Sequence, residues 1–220
     1  RQISADASGL TEALRGSNKF QGQWGEMILT RLLEASGLRS GSEFAVQVSL
    51  KAEDGSTLQP DVLIYLPDKR TIIIDAKVSL KAFAEAHAAT NETSKQHQIK
   101  MHLDSIKRHI NLLAGKQYQQ LPGLGALDFV LLFIPVEGAF QLAVEQDPEI
   151  LVGAMQRKVI LTSPSTLLAI LRTVHHLWRM DAQNRNSLLI AKQAGNLYDK
   201  FVGFSEAFEE IGLRLNQTQQ

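Results

Sequence analysis

Across residues 10–38, apolar residues return every three to four positions, with Phe20, Trp24, Ile28 and Leu32 in line. That is the period of an amphipathic helix. Gly22 and Gly25 interrupt it at a cost in helix propensity, and Gly37 supplies a stop signal. The pattern then turns strand-like. Phe44, Val46, Val48 and Leu50 alternate over 44–50, Val62-Leu63-Ile64-Tyr65 lies within 58–66, and Ile72-Ile73-Ile74 lies within 71–78. Asp54-Gly55 and Pro67-Asp68 between these runs suit hairpin turns. One long helical stretch is predicted over 80–114, capped by Gly115, followed by a Pro/Gly loop over 116–126. The wholly apolar run 129–134 reads as a buried central strand. A short helix over 138–146 and a strand over 159–162 come next. Ser163-Pro164 then gives an N-cap and a first-turn proline, opening a tail over 166–215 expected as two helices or one broken helix. The order α-β-β-β-α-β plus helical tail predicts one α/β domain over 1–220, with a core at 10–165 and a helical extension at 166–220.

Composition narrows the function classes. Lys plus Arg and Asp plus Glu both number 23, so nucleic acid would have to be met by local basic patches and not by a generally basic surface. The chain has no cysteine, which excludes disulfides, thiolate nucleophiles and cysteine-ligated zinc. No apolar run is long enough to cross a bilayer. The first residue is Arg1, not Met, so an excised piece of a longer protein is expected, in a cytoplasmic setting.

The chemistry concentrates in Ile72-Ile73-Ile74-Asp75-Ala76-Lys77. Residues i and i+2 of a strand share a face, so Asp75 and Lys77 are expected together. A carboxylate at the end of an apolar strand is costly unless it is paired, hydrogen-bonded or metal-bound. The preceding strand opens with Pro60-Asp61, proline suiting a strand's beginning. Pairing through the Pro67-Asp68 turn would bring Asp61 beside Asp75. Two close carboxylates favour a hard cation such as Mg2+ or Mn2+, and a nearby ammonium can orient water and stabilise developing charge. Helical spacing puts Glu26 in line with Leu29 and Leu33, from where it would reach the same cluster. A solvated Asp75–Lys77 ion pair and a surface Glu26 are the bland alternatives.

Pro60-Asp61, Asp75-Ala76-Lys77 and the upstream Glu26 resemble the PD-(D/E)xK nuclease superfamily. More narrowly, the chain resembles the RmuC family of bacterial DNA recombination proteins. The resemblance rests on Gly22-Gln23-Trp24-Gly25-Glu26, Gln59-Pro60-Asp61-Val62, Ile74-Asp75-Ala76-Lys77-Val78, Phe133-Ile134-Pro135-Val136-Glu137 and Thr162-Ser163-Pro164-Ser165-Thr166. It implies a restriction-endonuclease-like core with a central mixed sheet flanked by helices. It also implies DNA as partner, and a role in recombination or in limiting DNA rearrangement. Asp61, Asp75 and Glu26 would ligate metal, and Lys77 would act on water or phosphate. It further implies an upstream apolar segment and coiled coil, hence a bacterial protein tethered to the membrane ahead of this piece.

Lesser candidates follow. Gln47, placed on the first strand, would line the cleft, though a surface glutamine is the simpler reading. Glu137 suits a helix N-terminus more than catalysis, and Ser163 an N-cap more than a nucleophile. Two basic stripes would meet phosphates: Lys100, Lys107 and Asn111 with Arg108 and His109, and Arg172, His175, His176 and Arg179 beside Trp178. Solvated helix faces are the default for both. Two functions stay open: a magnesium-dependent DNA nuclease, and a non-catalytic DNA-binding scaffold that self-associates through coiled coils at its helical ends, 10–14 and 201–215. A protein-interaction module with incidental acids is a third and weaker reading.

Overall fold

A computed structural model describes residues 18–51, 57–76, 79–116, 118 and 129–218. The chain divides into two compact units, Arg1–His176 and Leu177–Gln220. The described elements of the first unit begin with α1 (Asn18–Ser36). Strands β1 (Phe44–Val46), β2 (Leu50–Lys51), β3 (Thr57–Leu58), β4 (Val62–Tyr65) and β5 (Thr71–Asp75) follow. Then come α2 (Lys81–Ala88), α3 (Glu92–Gly115), β6 (Val130–Phe133), α4 (Glu137–Gln146), α5 (Glu149–Met155) and β7 (Val159–Thr162). Helix α6 (Pro164–Thr218) begins in the first unit and supplies the described residues of the second.

Five strands form one mixed sheet in the order β1-β4-β5-β6-β7, with β2 and β3 as a separate pair. β1 and β4, and β4 and β5, are antiparallel, whereas β5, β6 and β7 run parallel. A short turn over 66–70 permits the β4–β5 pairing, β2 and β3 lie between β1 and β4 in the chain, and the α2–α3 and α4–α5 segments carry the crossovers that parallel strands need. Both faces are covered. Leu63, Ile73, Val130, Leu132, Val159 and Leu161 pack with Ile106, Ile110 and Leu113 of α3 in one cluster. Val62, Ile64, Ile72, Ile74, Leu131 and Phe133, the alternate residues, are also buried. This explains why the runs read as continuously apolar and not as alternating.

Three sequence expectations need correction. The predicted helix over 80–114 is two helices, because the Asn91 side chain accepts a hydrogen bond from Ser94 N at 2.7 Å and starts α3 afresh. The apolar periodicity runs on through this break and hides the cap. The predicted strand over 44–50 stops at Val46, since Gln47 takes a left-handed backbone (φ 50°). Val46 is exposed as a result, not paired inward with Phe44. The tail is one helix from Pro164, neither two nor broken. Its first turns belong to the first unit through the buried Leu167, Leu171 and Val174. The turn signal at Asp54-Gly55 lies outside the described residues, as do most of the loop over 116–126 and the segment 10–14. Gly37 does end α1, with φ +88° and the His175 imidazole 3.4 Å from where a Cβ would stand. Strand β7 falls where it was predicted. No helix among the described residues is long and apolar enough to cross a membrane.

Candidate functional site

The parallel strands β5, β6 and β7 end at one edge of the sheet, and antiparallel β4 begins there. Ligands of open α/β sheets gather at such carboxyl ends. The register pairs Val62 with Ile74 and Leu63 with Ile73, so one step further sets Asp61 opposite Asp75. Directly opposed residues share a face. For Asp61 and Asp75 it is the face of Leu63, Ile73 and Leu132, the side covered by α3.

Each carboxylate is held. Asp61 Oδ2 accepts a hydrogen bond from Ala76 N at 2.7 Å, which ties the start of β4 to the residue after Asp75. Asp75 is 4% exposed. Its Oδ1 accepts from Lys116 Nζ at 3.2 Å. The same ammonium donates to Tyr118 Oη at 3.2 Å. α3 ends at Gly115, so its C-terminus delivers Lys116 and Tyr118 over the shared face. Burial works against the Lys116 ammonium, but attraction to Asp75 and the Tyr118 hydrogen bond outweigh it, holding its pKa above the usual lysine value. Tyr118 is buried, and burial is the main force raising its pKa. Asp75 and Asp61 add to that while Lys116 opposes, so the phenol stays protonated. Four groups thus form one cluster: two acids, an ammonium and a neutral phenol.

Other sequence candidates fall differently. Glu26 is exposed; the inward face of α1 carries Gln21, Gly25, Leu29 and Leu33. Gln21 Oε1 accepts from Leu80 N at 3.1 Å, while its buried Nε2 has no hydrogen-bond partner among the described residues. A Cβ on Gly25 would lie 3.5 Å from Pro135 Cγ and 3.8 Å from the Ala76 carbonyl oxygen. The helix therefore runs as near the end of β5 as an alanine-sized residue permits. Among the described residues, no three His, Asp or Glu lie close enough to hold a metal together, so Glu26 is not brought to Asp61 and Asp75. Lys77 lies outside the described residues. Gln47 is exposed and sits past β1, not on it; its backbone N donates to the Asp61 carbonyl at 2.9 Å.

Glu137 opens α4 at the same edge and caps α6 as well. Its Oε2 accepts from Ser165 N at 3.2 Å and Ser165 Oγ at 3.0 Å. Burial pushes its pKa up, yet hydrogen bonds from Ser163 and Ser165 win and leave it lowered. Ser163, fully buried, caps α6 jointly with Thr166. In the first basic stripe Lys100 and Arg108 are exposed. Lys107 instead pairs with Asp147 at 2.7 Å, and Asn111 accepts from Arg157. Arg172 is exposed in the first unit and Arg179 in the second.

Sequence reasoning missed Lys116, Tyr118 and Gln21. The first two stand about 40 residues beyond Asp75 with no short-range spacing to betray them. Gln21 was visible only through the phase of α1, which Phe20, Trp24, Ile28 and Leu32 set one residue away from the buried Gln21-Gly25-Leu29-Leu33 line.

A family model described as "RmuC family" matches residues 1–220. The chain is similar to the "DNA recombination protein RmuC homolog" of Pseudomonas aeruginosa, 46% identical over 216 residues, covering 98% of this chain and 48% of that protein. It is likewise similar to the "DNA recombination protein RmuC" of Escherichia coli K12, 46% identical over 218 residues, covering 99% of this chain and 46% of that one. The Vibrio cholerae homologue is 45% identical over 219 residues, with coverages of 100% and 43%. The chain thus spans about half the length of these curated relatives. The family match spans both units from end to end, and the chain belongs to the RmuC family.

Proposed function

We propose that this chain is the nuclease-like part of a DNA recombination protein, a magnesium- or manganese-dependent phosphodiester hydrolase on a restriction-endonuclease-like core. The observation that carries the reading is that Asp61, one residue ahead of β4, accepts a hydrogen bond from Ala76 N, one residue beyond an Asp75 that is almost wholly buried. Two like charges facing each other across a strand pair destabilise it unless something compensates them. The donors are hard carboxylate oxygens, and among the described residues two carboxylates come to this strand end. That fits magnesium, which takes one or two carboxylates and completes its shell with water and substrate phosphate. Asp61 and Asp75 would hold the ion, which when bound supplies Lewis-acid stabilisation of phosphate charge.

The remaining chemistry belongs to the chain. The Ala76 N–H fixes Asp61 in orientation. Tyr118, kept neutral, offers a hydroxyl to the same cluster without adding negative charge. Lys77, two residues after Asp75, supplies an ammonium for water or phosphate. In hydrolysis the water oxygen bonds to phosphorus, the ester P–O bond breaks, and the departing oxygen takes a proton. Asp61→Asn, Asp75→Asn and Lys77→Ala are each expected to slow cleavage of single-stranded or duplex oligonucleotides with magnesium by about a hundredfold or more. Cleavage by all three variants at the wild-type rate would overturn the assignment.

One observation favours a second reading, a DNA-binding scaffold that self-associates. Ile190, Leu197, Phe201, Phe204, Phe208 and Ile211, with Ala194, advance in steps of four and three residues on the second unit, and the six large ones are more than half exposed. That is a heptad seam without a partner in the chain's described residues. On this reading DNA binding survives both a chelator and Asp75→Asn, whereas loss of binding with chelator contradicts it.

A further inference from the structure

Lys116 belongs to none of the motifs that mark the site, yet its ammonium is the cation seated on Asp75. Its Nζ lies 3.2 Å from Asp75 Oδ1 and 3.2 Å from Tyr118 Oη. The two partners differ in freedom. The Asp75 side chain is 5% exposed, and the Lys116 side chain is 34% exposed. Asp75 is fixed at the end of a buried strand, whereas Lys116 follows the last residue of α3 and carries its ammonium on a flexible four-carbon stem. A carboxylate this buried needs a counter-charge or hydrogen-bond donors, and the Lys116 ammonium, itself also bonded to the Tyr118 hydroxyl, supplies the charge here. A divalent ion brought to the same carboxylate would stand within a few ångströms of the ammonium, and the two positive charges would repel.

We propose that Lys116 and a divalent cation compete for Asp75, and that the displaced ammonium then contacts the phosphate of the bound DNA. This rests on the metal-dependent reading above and deepens it. Lys116 neutralises Asp75 before the ion arrives, which keeps the opposed acids from destabilising the sheet edge. Displacement turns the same side chain outward, towards the solvent side from which a phosphodiester must come. Tyr118, anchored by its own burial, marks the inner limit of that swing.

The test is manganese binding by calorimetry on the intact chain, without DNA, for wild type, Lys116→Met, Lys116→Arg and Asp75→Asn. Removing the competing ammonium is expected to tighten manganese binding about tenfold in Lys116→Met, the order of one charge-assisted hydrogen bond. Lys116→Arg keeps the charge and is expected to bind like wild type. Lys116→Gln, which retains a donor for Asp75 and Tyr118, serves if the methionine variant does not fold. With calcium in place of manganese, Lys116→Met is expected to lose about one unit from the salt slope of oligonucleotide affinity. Manganese bound by wild type and lost in Asp75→Asn, but with unchanged or weaker affinity in Lys116→Met, would overturn the competition and leave the metal site standing. An unchanged salt slope would overturn the phosphate contact. No manganese binding by any of the proteins would overturn the metal reading and this inference with it.

Discussion

His102 has no exposed surface, and its Nε2 donates to the Ala139 carbonyl oxygen at 2.9 Å, linking α3 to α4. Its other nitrogen, Nδ1, is buried with no hydrogen-bond partner among the described residues, and the Phe83 ring stands 5.9 Å away. Burial pulls its pKa below the ordinary imidazole value of 6.5, against a smaller pull upward from the carbonyl. The unfolded chain therefore binds a proton at His102 at a higher pH than the folded chain does. Stability is fully present above pH 6.5 and falls as pH drops from there towards the folded pKa. Urea midpoints between pH 7.5 and 5 are expected to decline in wild type and to decline less in His102→Gln, which keeps a donor for Ala139. Equal declines would place the acid sensitivity elsewhere. The sequence showed this histidine only as one of several on a helical stretch. That Asp61 would come to the end of β5 was legible, since strand period and the Pro67-Asp68 turn fix the register. That Lys116 and Tyr118 would join them was not, because only the fold of a long helix over the sheet returns them to β5.

Elements were legible where local signals and burial agree. The Ser163-Pro164 start of α6, the Gly37 stop of α1 and the four residues of β7 are such cases. They failed where one residue overrides a periodic pattern, as Asn91 does by capping α3 and Gln47 does by turning left-handed after β1. The glycines of α1 look like equal blemishes in the sequence, but the structure separates them. Gly25 lies against Pro135 and Ala76, whereas Gly22 is exposed with nothing within 4 Å of an added Cβ. Gly22→Ala is expected to raise stability by about 1 kcal/mol, the helix-propensity difference alone, seen as a higher urea midpoint with unchanged slope. A lower midpoint would show that position 22 is constrained by more than backbone entropy. Asn91→Ala is expected to cost about 1 kcal/mol, the usual worth of an N-cap, and a midpoint equal to wild type would show that α2 and α3 are separated by something other than the cap.

At the scale of the whole molecule, the helical tail was legible as a tail but not in its division. Leu167, Leu171 and Val174 commit its start to the first unit, while Ile190, Leu197, Phe201, Phe204, Phe208 and Ile211 of the second lie open. A heptad seam of identical spacing is self-complementary in register, so a second copy of the chain is its expected cover. Sedimentation of the wild type is expected to give at least twice the mass of one chain, and Phe204→Glu with Phe208→Glu to give one. A monomeric wild type would remove the scaffold reading's main support. Whatever the assembly, the central claim concerns the sheet edge where Asp61 faces Asp75. Its most direct test is magnesium and manganese titration by calorimetry on wild type and Asp75→Asn, with the fold of each checked by thermal melting. The account predicts one saturable site in wild type that is lost in the variant while the fold survives. Equal binding by both, or no binding by wild type at millimolar metal, would contradict it.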